Sequence, residues 1–193
     1  MSREQLIEMA RNNMAHGDAG TLPQAEAIIK VPVGKYFEEQ RWRDEMDKIF
    51  KRVPLMLAMT AELRNPGDYK AMDAGGVPVI LARNEEGVVK AFVNMCSHRG
   101  AQLMDEGCGN THRFTCPYHA WSYNVNGDLV GVYAPKDFGD FDRSEHALAE
   151  LPCLEKAGLI WVITDPKSTL DINLFLSGYD ELLAHFGFEN WYH

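Results

Sequence analysis

Cys96-Ser97-His98-Arg99-Gly100, followed after a spacer by Cys116-Pro117-Tyr118-His119-Ala120-Trp121, is the stretch from which this 193-residue chain is best read. Its skeleton is Cys-x-His, seventeen residues, Cys-x-x-His. Thiolates and imidazoles are the side chains that bind soft and borderline metals, so two short segments carrying one of each describe a metal site. Two Cys and two His would satisfy tetrahedral zinc. Structural zinc sites, however, usually keep like ligands together, as Cys-x(2–4)-Cys with His-x(3–5)-His, and here each pair is mixed. A third reading makes them unrelated core cysteines and loop histidines.

The mixed spacing resembles the ligand set of a Rieske iron–sulfur centre, in which one iron is held by two thiolates and the other by two histidines. Each loop can then supply one ligand to each iron. With two neutral imidazoles replacing two thiolates the centre is less anionic and accepts an electron more easily, which is why such centres lie at roughly −150 to +300 mV against about −400 mV for plant-type clusters. The flanking residues resemble the N-terminal Rieske domain of ring-hydroxylating, non-haem iron oxygenase α subunits. In respiratory-chain Rieske proteins each loop has an extra cysteine, paired as a disulfide; those positions read Ala101 and Tyr118 here. The resemblance extends through Pro66-Gly67-Asp68-Tyr69 and Gly76-Val77-Pro78-Val79-Ile80 and down to Trp161. Ala120 departs from it, since the family more often has Gly there; the extra methyl asks for slightly more room.

Working outward, residues 54 to 164 read as short β-rich runs: 54–59, 69–73, 77–83, 88–95, 113–115, 121–125, 129–132 and 159–164, bounded by Gly, Pro, Asn and Asp. Asn126-Gly127 signals a type I′ hairpin, and 84–87 a looser one. The fold class expected is mostly β with flanking helices (α+β): an antiparallel sandwich or small barrel of the Rieske type, with both ligand segments in loops after strands. Residues 2–15 read as a helix with Ser2 and Gln5 at capping-box spacing, a packing or subunit-contact arm. A second helix, 38–52, places Trp42, Met46, Ile49, Phe50 and Val53 on one face. After Asp165-Pro166, Asp171 caps a helical run with Ile172, Phe175, Leu176, Tyr179, Leu183 and Phe186, whose apolar face has no obvious partner, and Gly178 within it costs about 1 kcal/mol relative to Ala. The expected organisation is a helical extension over 1–52, a Rieske domain over 53–165, and a helical segment over 166–193 leading toward a catalytic domain.

The composition, 46% hydrophobic and 24% charged, is that of an ordinary globular protein. A net charge of −9 argues against nucleic acid. No apolar run is long enough to span a bilayer, and the start lacks the pattern of a signal peptide, so a cytoplasmic location is expected. Cys108 and Cys153 have no ligand-like spacing and read as free thiols.

The resemblance implies a separate mononuclear iron held by two His and a carboxylate, a facial triad, expected only in the further catalytic domain. Asp180, His185 and His193 miss that spacing and read as ordinary helix-end and terminal residues. His112 reads as a solvated strand-edge residue, and His16 and His146 as surface histidines in polar surroundings. Tyr118 and Trp121 either shield the cluster or pack beneath it, and a hydroxyl donated from Tyr118 to sulfur would raise the potential. Arg99 is either structural or faces a partner.

By resemblance, then, Cys96 and Cys116 hold the inner iron of one [2Fe–2S] cluster and His98 and His119 the outer iron. No residue of this chain is expected to be catalytic in itself. Electrons arrive from a reductase or ferredoxin and leave for the mononuclear iron of its own or a neighbouring α subunit, in a trimer-based assembly with or without a β subunit, to oxygenate an aromatic substrate. The chief alternative is a stand-alone Rieske ferredoxin-like carrier; a third is a regulatory or scaffold protein that kept the cluster.

Overall fold

The computed structural model describes residues 2–25 and 27–192; His193, named above beside Asp180 and His185, lies outside them. The chain divides into two compact units at the Glu38/Glu39 junction.

In the first unit, α1 (Arg3–Ala19) begins as its capping box requires. Ser2 Oγ accepts from the Gln5 N–H at 3.2 Å, and the Gln5 side chain accepts from the Ser2 N–H at 2.7 Å. The helix runs four residues past the expected end and stops at Gly20, whose φ of 62° breaks it. Leu6, Ile7, Met9 and Met14 are exposed.

The second unit opens with α2 (Glu39–Glu45), which passes into a π turn over Met46–Phe50. The extra residue in that turn rotates the chain out of α-helical register. The expected apolar stripe therefore does not line up: Trp42, Ile49 and Phe50 are exposed, and only Met46 and Val53 are half-buried.

The strands are β1 (Leu55–Met59), β2 (Asp68–Asp73), β3 (Pro78–Arg83), β4 (Val89–Val93), β5 (Gly107–Asn110), β6 (Arg113–Thr115), β7 (Ser122–Asn124), β8 (Leu129–Gly131), β9 (Glu150–Leu151), β10 (Cys153–Lys156) and β11 (Leu159–Val162). All pair antiparallel, in sheets ordered β1-β11-β10, β5-β2-β3-β4-β9 and β6-β7-β8. The mostly β, antiparallel class expected from the sequence is the one observed.

The sequence of β3 explains the layering. Val79 to Ala82 is an uninterrupted apolar run and every one of its side chains is buried, as in a strand covered on both faces. Val79 and Leu81 face Ala58, Ile160 and Val162 of the β1-β11-β10 sheet. Ile80 and Ala82 face Phe114, Tyr123 and Leu129 of the β6-β7-β8 sheet and the adjoining Trp121, and Cys96 and Cys116 lie in that second core. The five-stranded sheet is thus the middle layer.

Leu159, Trp161 and Ile163 alternate onto the outer face of the first sheet. There they bury Ile172 and Leu176 of α3 (Ile172–Leu176). Asp171 caps α3 by accepting from the Leu174 N–H at 3.2 Å. The run is not one helix: Gly178, at φ 80°, separates α3 from α4 (Tyr179–Ala184). The apolar face does have a partner in the β11 side chains, although Phe175, Tyr179 and Phe186 stay exposed.

The turns differ from expectation in one respect. Asn126 does not have positive φ, so Asn126-Gly127 is not a type I′ turn. Instead the Asn124 N–H bonds the Asp128 carbonyl, the Gly127 N–H bonds the Asn124 carbonyl, and Gly127 sits at φ 85°, a three-residue loop closed by a left-handed Gly. The 84–88 hairpin is built the same way around Gly87. Two-residue turns with both residues left-handed are found at Gly75-Gly76, between β2 and β3, and at Ala157-Gly158, between β10 and β11.

Candidate metal centre

Two turns of matching construction carry the four sequence-predicted ligands. In the first, after β4, the Cys96 N–H bonds the Ala101 carbonyl at 2.8 Å and the Gly100 N–H bonds the Cys96 carbonyl at 2.9 Å. In the second, between β6 and β7, the Cys116 N–H bonds the Trp121 carbonyl at 2.7 Å and the Ala120 N–H bonds the Cys116 carbonyl at 3.0 Å. Each turn closes through a left-handed residue, Gly100 at φ 71° and Ala120 at φ 55°. The demand on position 120 is therefore conformational rather than one of room, since the Ala120 side chain is exposed.

The turns bring like with like. Cys96 and Cys116 are buried, free and adjacent within one core cluster. The rings of His98 and His119 lie 4.8 Å apart nearer the surface, both half-buried. Among the described residues, the approach is a thiol pair and an imidazole pair, and no three of His, Cys, Asp and Glu converge as a single ion would need. His119 Nδ1 is buried without a hydrogen-bond partner, an orphan that a metal would satisfy. Burial lowers the pKa of the His98 imidazole, reinforced by His119, Arg99 and His146, which favours the neutral form that can ligate. Burial raises the Cys96 thiol, against the lowering effect of Tyr123, whose hydroxyl lies 3.2 Å from its sulfur, and of the nearby His98 backbone. The residues fit a centre with two thiolates on one side and two imidazoles on the other.

Aromatic side chains wall the imidazole end. Trp121 stacks on His98 at 4.7 Å with 10° between planes, and Phe138 meets His98 edge-on at 5.7 Å. Trp121, 3% exposed, also packs against Phe141 and the His146 ring. Tyr118 lies outside, 60% exposed, tilted 3.7 Å over His119. Of the two aromatic residues noted beside the ligands, Trp121 packs beneath and Tyr118 covers from solvent.

The hydroxyl on sulfur belongs to Tyr123, which sequence reasoning missed. It is fully buried with its oxygen 3.2 Å from Cys96 Sγ, and burial with Cys96 nearby pushes its pKa up, so it keeps its proton. Its signal in the sequence was slight: in the alternation of a strand, residue 123 shares the inward face of Trp121. His146 was also misread, since its ring faces Trp121 and Phe141 rather than polar groups, and its carbonyl accepts from Ser97 Oγ at 2.7 Å.

The remaining candidates stay apart. His112 is exposed and paired with Glu85 at 2.6 Å. His16 bonds Thr21, and His185 bonds the Glu181 carbonyl, while Asp180 pairs with Lys156 at 2.8 Å. Cys108 is exposed, and Cys153, half-buried on β10, has its thiol pushed up to about 12 by burial and by Glu155 and Glu150; both are free thiols, as expected. Arg99 is exposed.

The family described as "Rieske [2Fe-2S] domain" matches residues 53–153. The chain is 32% identical over 174 residues to the oxygenase subunit of glycine betaine monooxygenase from Chromohalobacter salexigens, covering 89% of this chain and 38% of that protein. It is 33% identical over 152 residues to the large subunit of anthranilate 1,2-dioxygenase from Acinetobacter baylyi, covering 78% and 32%. Among solved structures, the apo form of a quaternary ammonium Rieske monooxygenase matches with a TM-score of 0.72 and 29% identity, over 81% of this chain and 45% of that one. The chain thus spans less than half the length of these relatives.

Proposed function

The chain belongs to the Rieske [2Fe–2S] domain family, as found in oxygenase α subunits, and from that premise we propose that Cys96 and Cys116 hold one iron of its cluster and His98 and His119 the other. The observation that carries this is the separation of the four side chains into an adjacent thiol pair and an imidazole pair. When bound, the cluster takes up and passes on one electron at a time. The protein's own part is to place that exchange: buried thiols on the inner side, imidazoles at the rim, Trp121 and Phe138 excluding water, and Tyr123 donating to a ligand sulfur. We assign this electron-transfer role to residues 53–165, with 1–52 as an extension and 166–193 leading onward.

In the whole protein, electrons would come from a reductase or ferredoxin and serve a mononuclear iron of the same or a neighbouring subunit, in a cytoplasmic, trimer-based oxygenase. An aromatic substrate is one reading, in line with the anthranilate relative. A quaternary ammonium substrate is the second, favoured by the longer overlap with the glycine betaine enzyme. Oxygen uptake by the whole protein with each class as substrate separates them.

The test of the ligand set is a redox titration with metal analysis. We expect two irons and two sulfides per chain and a midpoint within the roughly −150 to +300 mV window, and His119→Cys should move it toward about −400 mV. Zinc without sulfide overturns the reading.

A further inference from the structure

Three contacts run in series from a proposed ligand to the segment before β9. Cys96 Sγ lies 3.2 Å from Tyr123 Oη, Tyr123 Oη lies 2.8 Å from Ser97 Oγ, and Ser97 Oγ lies 2.7 Å from the His146 carbonyl oxygen. The Ser97 N–H donates to Tyr123 Oη as well, at 3.1 Å. A hydroxyl has one proton to give and a carbonyl has none. The His146 contact therefore takes the Ser97 proton, the contact between hydroxyls takes the Tyr123 proton, and only a thiol proton is left for the sulfur. Three contacts need three protons.

A sulfur that holds iron is a thiolate and only accepts. The same series then has two protons for three contacts, and one contact must be given up. A charged acceptor makes a hydrogen bond roughly twice as strong as a neutral one, so the Tyr123 proton goes to Cys96. Unless Ser97 then donates to Tyr123 Oη, two oxygens face each other at 2.8 Å with no proton between them. Donation there also completes a chain in which each bond polarises the next. The His146 carbonyl, at an exposed contact, can take a water instead.

Resting on the ligand set above, we propose that Ser97 is a positioning residue: its hydroxyl donates to Tyr123, strengthens the Tyr123 hydrogen bond to Cys96 and so raises the potential of the cluster. A donor to sulfur favours the more negative, reduced state, so loss of the Ser97 hydroxyl lowers the potential.

The experiment titrates loaded wild type, Ser97→Ala, Ser97→Thr, Tyr123→Phe and the Ser97→Ala/Tyr123→Phe double variant at one pH. A downward shift in Ser97→Ala, restoration in Ser97→Thr, and no further shift when Ser97→Ala is added to Tyr123→Phe support the proposal, because only residues acting in series are non-additive in this way. An unchanged or raised potential in Ser97→Ala overturns it, and so does an equal drop in both backgrounds. If Ser97→Ala fails to load, Ser97→Thr against Ser97→Val makes the same comparison, differing in the hydroxyl alone. Failure of the ligand reading is distinct, since wild type would then hold no iron–sulfide chromophore to titrate.

Discussion

Ala120 is the residue at which the second ligand turn carries a conformational cost. An L-residue in the left-handed region is less stable by about 1–2 kcal/mol, and Ala120 sits there at φ 55° where its counterpart Gly100 does so freely. Ala120→Gly should therefore stabilise the protein by about 1 kcal/mol, read as a higher denaturant midpoint; no gain would mean that the turn is held strain-free. The same scale separates two tyrosines. Tyr123→Phe should lower the cluster potential, whereas Tyr118→Phe should leave it unchanged, because among the described residues the Tyr118 hydroxyl has no partner. The four ligand candidates were legible because metal chemistry restricts them to few residue types at short spacings. Tyr123, Ser97 and His146 were not, because what they do depends on contacts across 26 to 49 residues of chain, which no local pattern records.

Among the elements, the eight β-rich runs each hold a strand, and β5, β9 and β10 lie outside those runs. Gly107-Cys108-Gly109-Asn110 has no apolar alternation and becomes a strand only because β2 offers it an edge, and β9 is two residues long. The hairpins show a subtler limit: Asn-Gly favours a I′ turn locally, yet a three-residue loop lets Asn124 Oδ1 accept from the Asp128 N–H at 2.9 Å, just as Asn84 Oδ1 accepts from the Val88 N–H at 2.7 Å. The two loops are then bridged, Asn84 Nδ2 donating to Asn126 Oδ1 at 3.0 Å. Asn84→Ala removes the bridge and one loop closure from a buried position. It should cost about 1–3 kcal/mol in chemical denaturation, with more than Asn126→Ala as the diagnostic order.

Across the molecule, Arg83 on the middle sheet and Glu155 on the first sheet join two layers at 2.7 Å, and Arg83 Nε also donates to the Leu63 carbonyl. Burial acts to raise the Glu155 carboxyl, but the hydrogen bonds and positive charge of Arg83 outweigh it and hold the pKa below the ordinary 4.5. A depressed folded value means stability that is present above 4.5 and lost as pH falls through the lower, folded value. Glu155→Gln should thus flatten the acid side of the stability–pH curve and cost about 2 kcal/mol at neutral pH, where it leaves a buried guanidinium half-paired; an unchanged acid limb would argue against the linkage. The amide bridge between the hairpins bears on the lifetime of the molecule as well. Asn-Gly is the dipeptide most prone to spontaneous deamidation, a reaction in which the glycine nitrogen attacks the asparagine side chain. At Asn126-Gly127 the nitrogen is already bonded to the Asn124 carbonyl and the side chain is anchored by Asn84, so the native fold slows its own chemical ageing at that point, and partial unfolding would restart the clock.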